Sequence, residues 1–223
     1  MHKINNMNNN IILHNGDCVE YMKTMDKKSV DLLLTDIPYN EVNRKDNGLR
    51  SLDKGVADSA EFDLDETLKQ FMRVTKGSIY VFCGIEQVSH IKKTFRENGL
   101  STRLVVWNKT NPSPMNGDKI WLSSVECCVY GKFPKATFNE HCKGSVLNFP
   151  SGRSKIHPTQ KPLKLFEKIV EVSSNEGDVV FDPFMGSGTS GVAAKNLNRK
   201  FVGCEANDEY FNLAEDRIMN SNV

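Results

Sequence analysis

What this chain lacks narrows its class first. No apolar stretch approaches the roughly 18 residues that suggest a membrane span. Residues 1–10 are rich in asparagine and have no hydrophobic signal core, so export is not expected and a cytoplasmic location is. The six cysteines include no C-x-x-C pair, and no Cys/His spacing resembles a zinc site; reduced thiols and no bound metal are the expectation. Internal repeats are absent, and only the Asn-rich tail is of low complexity; it reads as frayed. A net charge of +1 gives no bulk attraction to a polyanion. The 223 residues, 39% hydrophobic and 26% charged, fit one globular domain spanning 1–223 with a substantial core.

The charge is unevenly placed. Residues 131–161 hold six Lys/Arg (132, 135, 143, 153, 155 and 161) and one acid, Glu140, whereas 40–66 hold eight acids and four bases. A basic segment on a neutral protein suggests a directed contact with something anionic, although a solvated loop has the same composition.

Short apolar runs at 11–14, 30–35, 78–82, 103–107, 125–130, 179–182 and 201–205 read as strands, and helical spacing recurs at 18–25, 64–74, 86–98, 162–170, 188–197 and 208–219. The run 30–35 (VDLLLT) is mostly apolar rather than alternating, as in a buried parallel strand. This alternation predicts an α/β fold around a mostly parallel sheet of about seven strands. The connection 36–62 is long and lacks periodicity, so residues 40–62 are expected to be mobile until a ligand orders them.

Two constellations carry chemistry. In Val179-Val180-Phe181-Asp182-Pro183-Phe184-Met185-Gly186-Ser187-Gly188-Thr189-Ser190-Gly191, a strand leads through G-x-G-x-x-G into a helix, and the next strand ends in Glu205, an acid suited to ribose hydroxyls. Taken alone, the turn fits an NAD, phosphate or nucleoside-cofactor site. Its lateness in the chain argues against NAD, because too few strand–helix units follow it. The second constellation, Thr35-Asp36-Ile37-Pro38-Tyr39-Asn40, ends the buried strand. A carboxylate and a Pro carbonyl can accept both hydrogens of an amino group on a flat heterocycle, and Tyr39 can stack on the ring.

At these residues the sequence resembles the DNA amino-methyltransferases that use S-adenosylmethionine. Their catalytic motif is Asp/Asn/Ser, Pro/Ile, Pro, Tyr/Phe/Trp, which Asp36-Ile37-Pro38-Tyr39 matches with the less common Ile. The cofactor motif, with a Phe-x-Gly-x-Gly core, matches Phe184 to Gly188. Asn15-Gly16-Asp17-Cys18, Val106-Trp107-Asn108-Lys109 and His157-Pro158-Thr159-Gln160-Lys161-Pro162 resemble three further family segments. With the catalytic motif first and the glycine turn last, the order is that of the β-class permutation, and the resemblance runs from about Ile11 to Arg217.

The resemblance implies a Rossmann-like class I methyltransferase fold, with helices on both faces of a seven-stranded, mostly parallel sheet. Its strands, numbered along the chain, would lie in the order 1-7-6-2-3-5-4, with one antiparallel strand near an edge. It implies Asp36, Pro38 and Tyr39 as the catalytic residues. Asp17 and Cys18 would lie near the cofactor adenine, Glu205 on the ribose, and Asp182, Phe184, Gly186, Gly188 and Thr189 around the methionine part. Thr159 and Lys161 would meet the methionine carboxylate or the DNA backbone. The segment 131–155 falls where the family recognises DNA, with Lys132, Lys135, Lys143, Arg153 and Lys155 toward phosphates. Double-stranded DNA is the implied substrate, with base flipping; a homodimer and a cognate restriction endonuclease are the implied partners. Asp36 with Tyr39 favours the N6 amine of adenine over N4 of cytosine. Ile37 leaves open an inactive nucleic-acid-binding relative, which the intact Asp36, Tyr39 and Glu205 argue against.

Overall fold

The computed structural model describes residues 3–7, 10–39, 63–115, 117–152 and 160–221. The expected mobile loop 40–62 lies outside the described residues, as do Thr159, Arg153 and Lys155.

The fold is organised around β3 (Val30–Asp36), the strand with the continuous apolar run. Leu32 and Leu34 join Tyr80 and Phe82 of β4 (Thr75–Cys83) in one core, completed by α4 (Leu163–Ser173), α5 (Thr189–Asn196) and α6 (Asp208–Asn220). Leu33, with Ile79 and Val81, joins a second core under α1 (Cys18–Thr24), α2 (Leu64–Val74) and α3 (Ile85–Glu97). Successive side chains of a strand point to opposite faces, so a sheet with helices on both sides needs apolar residues at every position of its central strands. Leu32, Leu33 and Leu34 all have 0% exposure, which is why this strand does not alternate.

The other strands are β1 (Lys3–Met7), β2 (Ile11–Asn15), β5 (Ser101–Lys109), β6 (Val125–Lys132), β7 (Val146–Phe149), β8 (Val179–Asp182) and β9 (Lys200–Glu205). Among the described residues the sheet has nine strands in the order β1-β2-β9-β8-β3-β4-β6-β5-β7. The seven expected strands lie in the expected order, but the sheet is wider and more mixed than expected. Residues 3–7, read as a frayed tail, add an antiparallel edge strand to β2, and β7 emerges from the basic segment 131–155, where no strand was expected, and pairs parallel with β5. Three of the eight neighbouring pairs are antiparallel, because both β1 and β6 run against their neighbours.

The chain leaves β3 for β4 on one side and β8 for β9 on the other, so the carboxyl ends of β3 and β8 flank a topological switch point, where open α/β sheets bind ligands. Thr35 Oγ1 donates to Asp182 Oδ1 at 2.7 Å across this junction.

Candidate active site

The catalytic motif begins where β3 stops pairing with β4. The Ile37 N–H donates to the Phe82 carbonyl at 3.1 Å, and the Ile37 side chain is 2% exposed. The unusual residue therefore continues the ladder with a donor that proline lacks and fills the core beneath the site. Tyr39 turns back, its hydroxyl donating to Asp36 Oδ1 at 2.9 Å. Gln87, near the start of α3, accepts from the Gly84 N–H at 2.9 Å and donates its Nε2 to the Pro38 carbonyl at 3.1 Å. Both acceptors of the motif are thus held in place by neighbours.

Asp36 is the end of a row of alternating charges. Lys161 Nζ bonds Asp36 Oδ2, and Glu126 Oε2 lies 3.1 Å from the same ammonium. Glu126 Oε1 in turn meets Lys109 Nζ at 2.7 Å. Lys161 is 7% exposed, while the Asp36 side chain keeps 25% of its surface open. Burial works against the Lys161 charge, but Asp36 and Glu126 outweigh it and hold the ammonium above its ordinary range. Burial raises the Asp36 carboxyl, opposed by the Lys161 charge and by hydrogen bonds from Lys161 and Tyr39, while Glu126 adds to the rise. Glu126 also suffers from burial, yet Lys161 and Lys109 together bring it down to about 2. Lys161, expected at the methionine carboxylate or the DNA backbone, bonds the Asp36 carboxylate.

Glu126 and Gln87 were not singled out in the sequence. A charge opening the otherwise apolar strand VECCVYG is a signal for the first. The second shows only as a residue three beyond Gly84, a spacing common at helix starts.

The glycine turn follows β8. Gly186 has φ +49° and Gly188 φ +75°, and a side chain added at Gly186 would meet nothing within 4 Å. That open backbone is where a ligand can approach. Gly191 has another role: a Cβ there would lie 2.4 Å from Ile218 Cδ1, so it lets α6 pack closely. The turn is anchored by Met185 N–H to the Cys204 carbonyl at 2.9 Å and by Gly186 N–H to Glu205 Oε2 at 3.0 Å. Arg217 on α6 donates to the Ser187 carbonyl and to Thr189 Oγ1 at 2.9 and 3.0 Å.

Asp17, Cys18 and Glu205 gather at the ends of β2 and β9 beside this turn, the Gly16 N–H donating to the Glu205 carbonyl at 2.9 Å. Asp17 is exposed and caps α1 through the Glu20 N–H at 2.8 Å. Cys18 is 7% exposed, and burial pushes its thiol up, so it presents a neutral apolar wall. Phe184 is partly buried. Open turn, apolar wall and two carboxylates suit a nucleoside cofactor.

Asp182 does not reach toward that space. It is 3% exposed and accepts from Thr35 Oγ1, the Phe184 N–H at 3.1 Å and Ser190 Oγ at 2.5 Å. Burial raises its carboxyl from 3.8 to about 7, against those hydrogen bonds. A carboxyl raised in the folded state contributes stability that is complete below its unfolded value and is lost as pH rises through the folded one. Asp182→Asn is therefore expected to flatten the stability curve: between about pH 4 and 7 the thermal midpoint of the parent should fall relative to that of the variant. Parallel midpoint curves would show Asp182 ionised throughout.

The basic segment is divided by the direction of β6. This strand starts at the catalytic edge, with Cys128 beside Phe82, and runs to Lys132 beside Ser78. Asp36 also pairs with Phe82, so Lys132 sits four ladder positions away, about 13 Å along the strand at ~3.3 Å per residue. Lys135 follows on the same far edge, where Asn139 N–H donates to the Val172 carbonyl at the end of α4 at 2.7 Å. Lys143, 66% exposed, lies 3.9 Å from Glu140. Lys132 and Lys135 therefore lie away from the end of β3, because an antiparallel strand carries its trailing residues away from it.

A protein-family model for N6/N4 methyltransferases, described as DNA methylase, matches residues 30–216. The chain belongs to this DNA methylase family. The methylase is 31% identical over 238 residues to the type II methyltransferase M.HpaI of Haemophilus parainfluenzae, covering 91% of this chain and 72% of that protein. It is 33% identical to the type II methyltransferase M.HinfI of Haemophilus influenzae, covering 96% of this chain and 69% of that one. The crystal structure of an M1.HpyAVI complex with S-adenosylmethionine superposes with a TM-score of 0.73 at 31% identity, over 93% of this chain and 99% of the other. The methylase is thus a β-class enzyme that uses S-adenosylmethionine to methylate an amino group of DNA. Its catalytic strand β3 precedes the glycine-turn strand β8, in the permuted order.

Proposed function

We propose that the methylase modifies the exocyclic N6 amine of an adenine rotated out of duplex DNA at a specific site. The observation that carries this reading is the Asp36 carboxylate at the end of β3, held by Tyr39 and Lys161, within the sequence Asp-Ile-Pro-Tyr whose Pro38 carbonyl is held by Gln87.

S-Adenosylmethionine, when bound, supplies an electrophilic sulfonium methyl. The residues that would hold it are Asp17, Cys18, Phe184, Gly186, Gly188, Thr189 and Glu205, with Asp182 shaping the turn from beneath. The chain's own task is to make a poor nucleophile react. A nucleobase amine has its lone pair delocalised into the ring; two acceptors on its hydrogens favour a more pyramidal nitrogen and aim the lone pair. Each acceptor oxygen has two lone pairs, so the Tyr39, Lys161 and Gln87 bonds leave room for the amine. Lys161 opposes the burial that raises the Asp36 carboxyl, and Gln87 fixes the tilt of the Pro38 peptide. Tyr39 lies against the same carboxylate and offers its ring for stacking. Positioning and fixed charges of this kind supply much of such a rate enhancement. The base must leave its stack to reach this recess.

A carboxylate accepts more strongly than a hydroxyl, which supports adenine. Digesting methylated DNA to nucleosides and identifying the product by mass spectrometry tests the reading. N6-methyladenine is expected; N4-methylcytosine alone would overturn it. By analogy with its type II relatives, we also assign the methylase a modification role beside a restriction endonuclease of the same specificity. A homodimer would extend the footprint of one small subunit on DNA, and sedimentation with and without DNA checks it.

A further inference from the structure

Large apolar side chains open to solvent gather at one edge of this molecule. Ile85, Met115, Ile120, Trp121, Leu122 and Val125 are all exposed at the edge where β3 ends in Asp36: Ile85 opens α3, Val125 opens β6, and the other four lie in the connection between β5 and β6. Trp121 stands out at 96% exposure. Tryptophan is usually largely buried, so an indole presented whole to water beside an active site points to a partner.

Five of the six lie on or at the base of the hairpin that joins β5 to β6. Its base is closed by the Lys109 N–H donating to the Ser124 carbonyl at 2.7 Å. One arm is tied to the exit of β7, where the Ser151 N–H donates to Asn111 Oδ1 at 2.6 Å. The tip folds on itself: the Gly117 N–H donates to the Pro114 carbonyl at 3.0 Å, and a Cβ at Gly117 would lie only 2.9 Å from Leu122 Cδ2. Leu122 thus braces the turn from inside while its neighbour Trp121 projects outward. The Lys109–Glu126–Lys161–Asp36 row ties the base of the hairpin to the catalytic carboxylate.

The partner follows from the site it adjoins. The methylase acts on DNA, and a target base reaches Asp36 from this edge. Residues 110–124 carry Lys119 against Asp118, so the hairpin is an apolar wedge rather than a phosphate clamp. Extruding a base leaves a gap in the stack, and proteins that open a base step commonly insert an apolar side chain there. We propose that the β5–β6 hairpin enters the duplex beside the target base, with Trp121 stacking on the bases left behind. The inference rests on the reading that the base leaves the helix.

The chain has two tryptophans, and Trp107 is 3% exposed with its Nε1 donating to the Phe149 carbonyl at 2.9 Å. Accessibility to acrylamide therefore reports on Trp121. The test titrates the full chain, held with S-adenosylhomocysteine, with sheared unmethylated genomic DNA. Trp121 should become shielded from acrylamide. Trp121→Ala should raise the Kd for that DNA roughly tenfold to a hundredfold, within the ~1–3 kcal/mol of an aromatic–base stack. Trp121→Phe should recover part of the loss, and cofactor binding and thermal midpoint should stay at parental values. Shielding that instead grows with protein concentration in the absence of DNA, with a rising sedimentation coefficient, would assign the patch to a second copy of the chain and overturn the proposal. Methyl transfer by the parent to the same DNA is measured alongside. Methylation with Trp121 still open to acrylamide would remove the wedge alone, whereas absence of any methylation would remove the reading it rests on.

Discussion

Asp36→Asn is expected to lower methyl transfer by at least about a thousandfold and leave S-adenosylmethionine binding within a few-fold of the parent. The size follows from removing a fixed charge at the reacting centre, where loss of one aimed hydrogen-bonding group alone costs about 10²–10³ in rate. The amide is nearly isosteric and can still accept from Tyr39, so local geometry is largely kept. Its NH2 group, however, faces the Lys161 ammonium, two donors opposed, and that side can no longer draw on the target amine. Cofactor affinity should be spared because Glu205, Gly186 and Asp17, the residues proposed to hold it, lie across the switch point, at the ends of β2 and β9 and in the turn after β8. Single-turnover methylation together with calorimetric titration of the cofactor separates the two effects. Near-normal turnover would move the catalytic role away from Asp36.

Lys161→Met should produce the second large effect, and of a different kind. Without the ammonium, burial and the Glu126 charge both act to protonate Asp36, and nothing but the Tyr39 hydroxyl opposes them. The acid limb of the pH–rate profile should therefore move to higher pH, with turnover at pH 7 depressed by about a hundredfold or more and partly restored in alkaline buffer. Removing one member of a buried ion-pair row also destabilises the fold, by about 3–5 kcal/mol. The double variant Lys161→Met/Glu126→Gln removes the Glu126 charge that repels Asp36, so its acid limb should lie between those of the parent and the single variant, which gives a second reading should the single variant fold poorly. A purely structural lysine would lower the thermal midpoint without moving the acid limb.

The central strand β3 was readable because it is buried on both faces: VDLLLT has no polar alternation, and Asp36 is its first charged residue past the core. The glycine turn was readable because its backbone needs positive φ at Gly186 and Gly188. What the sequence did not carry depended on direction and distance. Charge along a sequence does not state which way β6 runs, and only its antiparallel course places Lys132 four ladder positions from the end of β3. Residues 3–7, KINNM, look like a frayed end because asparagine is a poor strand former; the edge of β2 supplies the ladder that composition does not promise. The short β7 has four residues and is visible only beside β5. The Asp36–Lys161 pair spans 125 positions and the Gln87–Pro38 bond 49, so no local window holds either.

The position of β8 and β9 has a consequence for biosynthesis. They lie between β2 and β3, strands made long before them, and α6 then clamps the glycine turn through Arg217. As the chain emerges from the ribosome, β2 and β3 must wait with unpaired edges for about 150 residues, since β3 and β8 begin at Val30 and Val179. Such long-range pairings slow folding, because loop closure must precede the contacts that repay it. The Asp36 end of β3 is made early in translation, whereas the glycine turn beside it takes its place only when the last two strands enter the middle of the sheet. The two sides of the switch point are thus completed at opposite ends of synthesis, joined when β8 and β9 pair between β2 and β3.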